Sequence, residues 1–176
     1  RYQHGELYSA ASILQDKSLE YTTLHGRTVY GGGGITPDIF VPNDSTGVTS
    51  YYINVVNAGL IQKYTFAYSD TNRERLSKSA DGRELLTLLP DDDTLLQDFV
   101  NYAQTNGVAP RWYYINISRN LLVNSLKAMI ARNIHGVQGY YEVFNDSDPT
   151  VAAALDALDA GKTAFPIRQT SKASAK

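Results

Sequence analysis

Gly26-Arg27-Thr28-Val29-Tyr30-Gly31-Gly32-Gly33-Gly34-Ile35-Thr36-Pro37-Asp38-Ile39-Phe40-Val41-Pro42 is the stretch on which the reading of this chain turns. Thr28, Val29 and Tyr30 favour a pleated, half-buried surface, and so do Ile39, Phe40 and Val41. Four glycines between them permit a tight turn or a close crossing of backbones. Pro37 fixes its own φ and pushes Thr36 to an extended shape, and Pro42 closes the second run. The stretch therefore predicts strand, glycine turn, strand. A two-stranded unit of this size is marginal in water, and its unpaired edges recruit other chains. It is expected to be loosely held, to pack on the rest of the chain, or to pair with a second copy.

Outward from this unit the pattern changes period. Upstream, Leu7, Ala10, Ala11 and Leu14 are spaced for a short helix. Downstream, the turn-forming run Asn43-Asp44-Ser45-Thr46-Gly47 marks a boundary, and everything after it reads as helix. Val48, Tyr52, Val55 and Val56 share one face, with Gly59 placed as a C-terminal cap. Leu60, Ile61, Tyr64, Ala67 and Tyr68 make the next helix, which becomes charged toward Arg73, Glu74, Arg75 and Lys78. A short helix is expected over Glu84 to Leu88. Pro90-Asp91-Asp92-Asp93 leads into Leu95, Leu96, Phe99, Val100 and Ala103, and Asn106-Gly107 ends that helix. The three aspartates fit an N-cap and first turn, where side-chain acceptors and negative charge are favoured, better than they fit a metal site. Ile115, Leu122, Leu126, Met129 and Ile130 predict one long helix ending near His135-Gly136, with Arg119 on the same face and in need of a partner. Gly136 to Phe144 reads as a further short helix. Asp148 and Pro149 read as N-cap and first residue of the last helix, which Val151, Leu155 and Leu158 line and Gly161 stops. The fold class is α+β, mainly α: a short β-hairpin at the N-terminus followed by an orthogonal multi-helix domain. The expected division is 1–44 for the strands, 45–167 for the helical domain and 168–176 for a polar, disordered tail.

Composition narrows the function. The chain has 176 residues, 43% hydrophobic and 19% charged, with a net charge of −2. That balance fits a soluble globular protein and gives no electrostatic case for a nucleic-acid partner. There is no cysteine, hence neither disulfide nor thiolate chemistry. No apolar run approaches the ~20 residues that span a bilayer. Tyrosine is frequent, at 13 residues, and is expected to pack with its hydroxyl kept wet.

Most chemical motifs are missing. Gly31 to Gly34 are followed by Ile35-Thr36-Pro37, which is extended and brings no lysine, so the run does not cradle a phosphate. No Gly-x-Ser-x-Gly elbow occurs. His4, His25 and His135 are scattered, and none stands in metal-ligand spacing. Asn145 to Asp148 lack the glycine and distal glutamate of a calcium loop. No lysine is nominated as a base: Lys127, beside the apolar stripe of the long helix, has no serine elbow to serve. No cofactor and no metal are called.

Tyr21-Thr22-Thr23 and Gly26-Arg27-x-Val29-Tyr30-Gly31-Gly32-Gly33-Gly34-Ile35-x-Pro37-Asp38-Ile39-x-Val41 resemble the late segment of the C-terminal processing peptidases, or tail-specific proteases. These are serine peptidases with a Ser/Lys dyad. In that family a Gly-Arg, a glycine turn and Gly-Ile-x-Pro-Asp come near the end of the protease core, and one bacterial branch continues into a long helical tail. The resemblance covers about twenty residues. It implies that Gly26, Arg27, Gly33, Gly34, Ile35, Pro37 and Asp38 are structural members of the motif, and that serine, lysine base and oxyanion donors lie upstream of it. No catalytic residue is therefore assigned in this chain. The implied reaction of the parent is hydrolysis of peptide bonds near the C-termini of unfolded or tagged proteins, engaged through upstream domains. The implied location is extracytoplasmic, in a bacterial periplasm or envelope. The helical part would shape the substrate channel or mediate homo-oligomerisation. The alternative reading is a non-catalytic helical interaction module.

Overall fold

Thr49 opens the helical part, and its side chain shows why the first helix starts there. In the computed structural model, which describes residues 7–9, 17–24, 26, 28–31, 37 and 39–161, the Thr49 hydroxyl accepts the Tyr52 amide as an N-cap. The elements in order are β1 (Glu20–Thr22), β2 (Thr28–Tyr30), α1 (Ser50–Asn57), α2 (Leu60–Thr71), α3 (Arg73–Leu76), α4 (Gly82–Thr87), α5 (Asp92–Thr105), α6 (Trp112–Ile117), α7 (Arg119–Phe144) and α8 (Pro149–Asp159). A short antiparallel hairpin followed by a set of helices is the architecture observed, as the sequence reading expects. The chain divides into two compact units, 44–152 and the remainder, with α8 crossing the division.

The hairpin differs from its expected form. Thr28–Tyr30 is a strand, but its partner is Glu20–Thr22, not Ile39-Phe40-Val41. The register is Glu20 opposite Tyr30, Tyr21 opposite Val29 and Thr22 opposite Thr28, and Gly31 extends the ladder by donating to the Leu19 carbonyl. Between the two strands the Gly26 amide donates to the Thr23 carbonyl. Ile39, Phe40 and Val41 are outside any strand. Tyr21 and Val29 face each other across the ladder and both are exposed. With no buried face, β1 carries no alternating pattern for a reader to find. The expected helix over Leu7 to Leu14, the tail 168–176 and the end of the expected 45–167 domain lie largely or wholly outside the described residues.

Unit 44–152 owns the core. Tyr51 and Val55 of α1, Leu60, Ile61 and Tyr64 of α2, Leu95, Phe99 and Ala103 of α5, and Leu122, Leu126 and Ile130 of α7 are all buried. Their i, i+3, i+4 spacing is what turns one face of each helix inward. Each large side chain removed from water contributes about 1.5–3 kcal/mol. α7 is the element against which α2, α4 and α5 pack. Tyr64 meets Phe99 edge-on at 5.4 Å and Tyr102 at 5.5 Å, within the range where ring quadrupoles favour contact.

The single long helix expected from Ile115 onward is divided. α6 ends at Ile117 and α7 begins at Arg119, because Ser118 is occupied elsewhere. Its buried hydroxyl donates to the Gly47 carbonyl at 2.7 Å and lies 2.7 Å from the Thr49 hydroxyl. With the Ser118 proton spent on Gly47, Thr49 is the donor in that pair. The other expected division is present: α7 breaks at Gly136, with φ 72° and ψ −157°. That combination belongs to a region essentially reserved for glycine.

Side-chain caps close three further helix starts, those of α5, α4 and α8. Asp91 accepts the Thr94 amide and hydroxyl, which hold its carboxyl below the usual carboxylate value. Asp81 accepts the Glu84 amide, one of the orphan donors of α4, while the Glu84 carboxylate accepts the amide of Ala80, the residue before the cap. Asp148 accepts the Thr150 and Val151 amides at the start of α8.

Candidate functional site

Three places hold the chemistry-bearing residues. The first is the glycine motif. Gly26 sits in the β1–β2 turn with φ 79° and Pro37 is exposed. Arg27, Gly33, Gly34, Ile35 and Asp38 lie outside the described residues. Next to them, Gly31 has the Tyr21 ring 3.1 Å from where a Cβ would stand. A side chain at this position would require the ring to shift by a few tenths of an ångström.

The second is a serine–histidine contact that sequence reading does not find. Ser79 Oγ lies 2.8 Å from His135 Nε2 and 2.6 Å from the Leu76 carbonyl, and Ser79 is buried. A carbonyl can only accept, so the serine proton goes to Leu76. His135 must then donate Nε2–H to Ser79. A general base would have to receive that proton instead. The pair thus anchors the turn after α3 to the end of the first part of α7, just before the break at Gly136. Close approach continues beyond it. A Cβ on Gly82 would stand 2.7 Å from the Gly139 carbonyl, and one on Gly139 would stand 2.6 Å from His135 Cβ. The Gly82 amide donates to Glu142 at 2.8 Å. Residues 56 and 60 positions apart meet here, and no local spacing signals it.

The third is a concavity of about 370 Å³ between α5 and the α6–α7 junction, lined by Asp93, Thr94, Gln97, Asp98, Trp112 and Arg119 over Leu96. α5 places Asp93, Thr94, Gln97 and Asp98 on the turns flanking its buried stripe, and α6 opens on Trp112. The partner that Arg119 needs is Asp93, at 2.6 Å. Lys127 pairs with Asp92 at 2.5 Å. The aspartate run therefore does two jobs: Asp91 caps, while Asp92 and Asp93 tie the start of α5 to α7. Asp98 is in no ion pair among the described residues. Trp112 is half exposed at the rim, beside exposed Tyr113 and Ile117.

Among the described residues no three His, Asp or Glu side chains gather to hold a metal ion, and no helix is long and apolar enough to cross a membrane. A family of unknown function (DUF8443) matches residues 51–136, just under half of the chain. The match starts in α1, takes in the serine–histidine contact and the concavity, and stops at the break in α7. No curated protein and no solved structure matches the chain.

Proposed function

We propose that this chain is the C-terminal part of a carboxy-terminal processing serine peptidase: β1 and β2 are late strands of the protease core, and the helical unit is a non-catalytic appendage to it. The observation that carries this reading is the hairpin. Its described residues include Tyr21, Thr22, Gly26, Val29 and Tyr30 of the resemblance, and the rest of the motif follows in sequence. Yet the hairpin is only three residues wide per strand and none of its six residues is buried. A hairpin of this kind is marginal alone and needs further strands or a helix to pack on, which late strands of a protease core would have. The serine–histidine contact, with its proton directed the wrong way for a nucleophile, supports placing the dyad upstream. The helical unit, with a core of its own, supports a separable structural role.

On this reading the parent hydrolyses peptide bonds near the C-termini of unfolded or tagged proteins through an acyl-enzyme, outside the cytoplasm of a bacterium. The test is cleavage of an unstructured polypeptide by this chain alone and by this chain mixed with the upstream part of its parent. Cleavage only in the mixture is expected. Cleavage by the chain alone would put the dyad inside it and overturn the proposal.

A further inference from the structure

The concavity at Trp112 carries an inference that stands apart from the peptidase reading, because it rests on the helical unit alone. We propose that it receives a cationic side chain, arginine foremost, from a basic segment of a partner polypeptide, held between the Trp112 indole and the Asp98 carboxylate. The charge count decides the sign of the ligand. Asp93 and Asp98 bring two negative charges and Arg119 one positive charge. Asp93 neutralises Arg119 at 2.6 Å, so the uncompensated charge is that of Asp98. An anionic ligand would have to displace Asp93 from the guanidinium; a cationic one displaces nothing.

The aromatic wall favours the same ligand. Among aromatic rings, an indole face attracts guanidinium and ammonium groups most strongly. Trp112 lines the concavity and is 44% exposed, so part of its surface is open to a visitor. Gln97 and Thr94 add polar atoms at the same wall. Tyr113 and Ile117, 74% and 44% exposed, leave further apolar surface on the same helix α6. Exposed aromatic residues of this kind anchor protein interfaces.

Trp112 is the chain's one tryptophan, which makes its emission a direct reporter. The full chain is titrated with a blocked Ala-Arg-Ala tripeptide and, in parallel, with blocked Ala-Glu-Ala. A saturable change in Trp112 emission is expected with the arginine peptide only, with half-saturation on the order of millimolar. It should weaken on adding salt, since exposed charges are screened. Asp98→Asn is expected to raise the half-saturation about fivefold, the upper range for a solvated charge pair. Asp98 is exposed and in no ion pair among the described residues, so the variant is expected to keep the fold, which its circular dichroism checks. No saturable response to the arginine peptide, an equal response to the glutamate peptide, or an unchanged half-saturation in Asp98→Asn would each overturn the proposal. None of these outcomes bears on whether the parent cleaves peptides.

Discussion

Tyr51 and Tyr64 bury their hydroxyls with no hydrogen-bond partner among the described residues. An unpaired buried hydroxyl costs roughly 1–3 kcal/mol, so these two rings stabilise through their area against a penalty at their tips. Burial pushes the Tyr51 phenol up to about 12 from 10.0 and raises Tyr64 further, with nearby Asp98 adding to the effect. The sign follows from which state ionises first. Below pH 10 both states are neutral and the full stability is present. Between pH 10 and about 12 the unfolded chain loses its protons while folded Tyr51 keeps its own, so stability falls across that window. Tyr51→Phe is expected to leave stability at neutral pH unchanged or raise it by up to about 1 kcal/mol, and to flatten the alkaline loss. Urea unfolding at several alkaline pH values checks both; a loss of several kcal/mol at neutral pH would mean that the hydroxyl has a partner after all. At this scale the sequence was legible where a bond is local. Asp91 and Asp148 serve the amides two or three residues ahead, and their position before an apolar run announces it. Ser79 with His135, and Thr49 with Ser118, lie 56 and 69 residues apart and have no local signature.

At the scale of elements, Gly136 of α7 and Gly82 of α4 are needed for two different reasons. At Gly136 the backbone enters a conformation that L side chains rarely adopt, and a Cβ there would touch nothing within 4 Å. Gly136→Ala therefore costs backbone strain alone, about 1–3 kcal/mol. At Gly82 the reverse holds: φ is ordinary, but the Gly139 carbonyl lies 2.7 Å from the missing Cβ, so Gly82→Ala forces α4 away from α7 and costs about 1–3 kcal/mol by overpacking. Chemical denaturation measures both costs. Local structure distinguishes them: the Ser79–His135 contact is expected to persist in Gly136→Ala, and the Gly82–Glu142 hydrogen bond to be lost in Gly82→Ala. Long helices with a clear apolar stripe, α2 and α5, were readable from spacing because their burial follows the 3.6-residue period. The separation of α6 from α7 was not, since the stripe from Ile115 to Leu122 continues across Ser118 and only the distant Gly47 carbonyl explains the interruption. β1 was missed as a strand partner for the opposite reason: it buries nothing, so it has no period.

At the scale of the whole molecule, two parts of the chain have unequal claims to independence. The unit 44–152 encloses a core with Phe99, Leu122, Leu126 and Ile130 withdrawn from water, and tethers α5 to α7 by two ion pairs. The β1–β2 hairpin has a ladder of three residue pairs and no buried side chain. If these strands belong to a protease core, their amides should be held only when that core is present. The most direct measurement is hydrogen exchange at residues 20–31, on the chain alone and after mixing with the upstream part of its parent. Rapid exchange alone and slow exchange in the mixture, with the amides of α5 and α7 protected in both, is the predicted result. Hairpin amides that are equally protected with and without the upstream part, or that stay open in the mixture, would contradict the account.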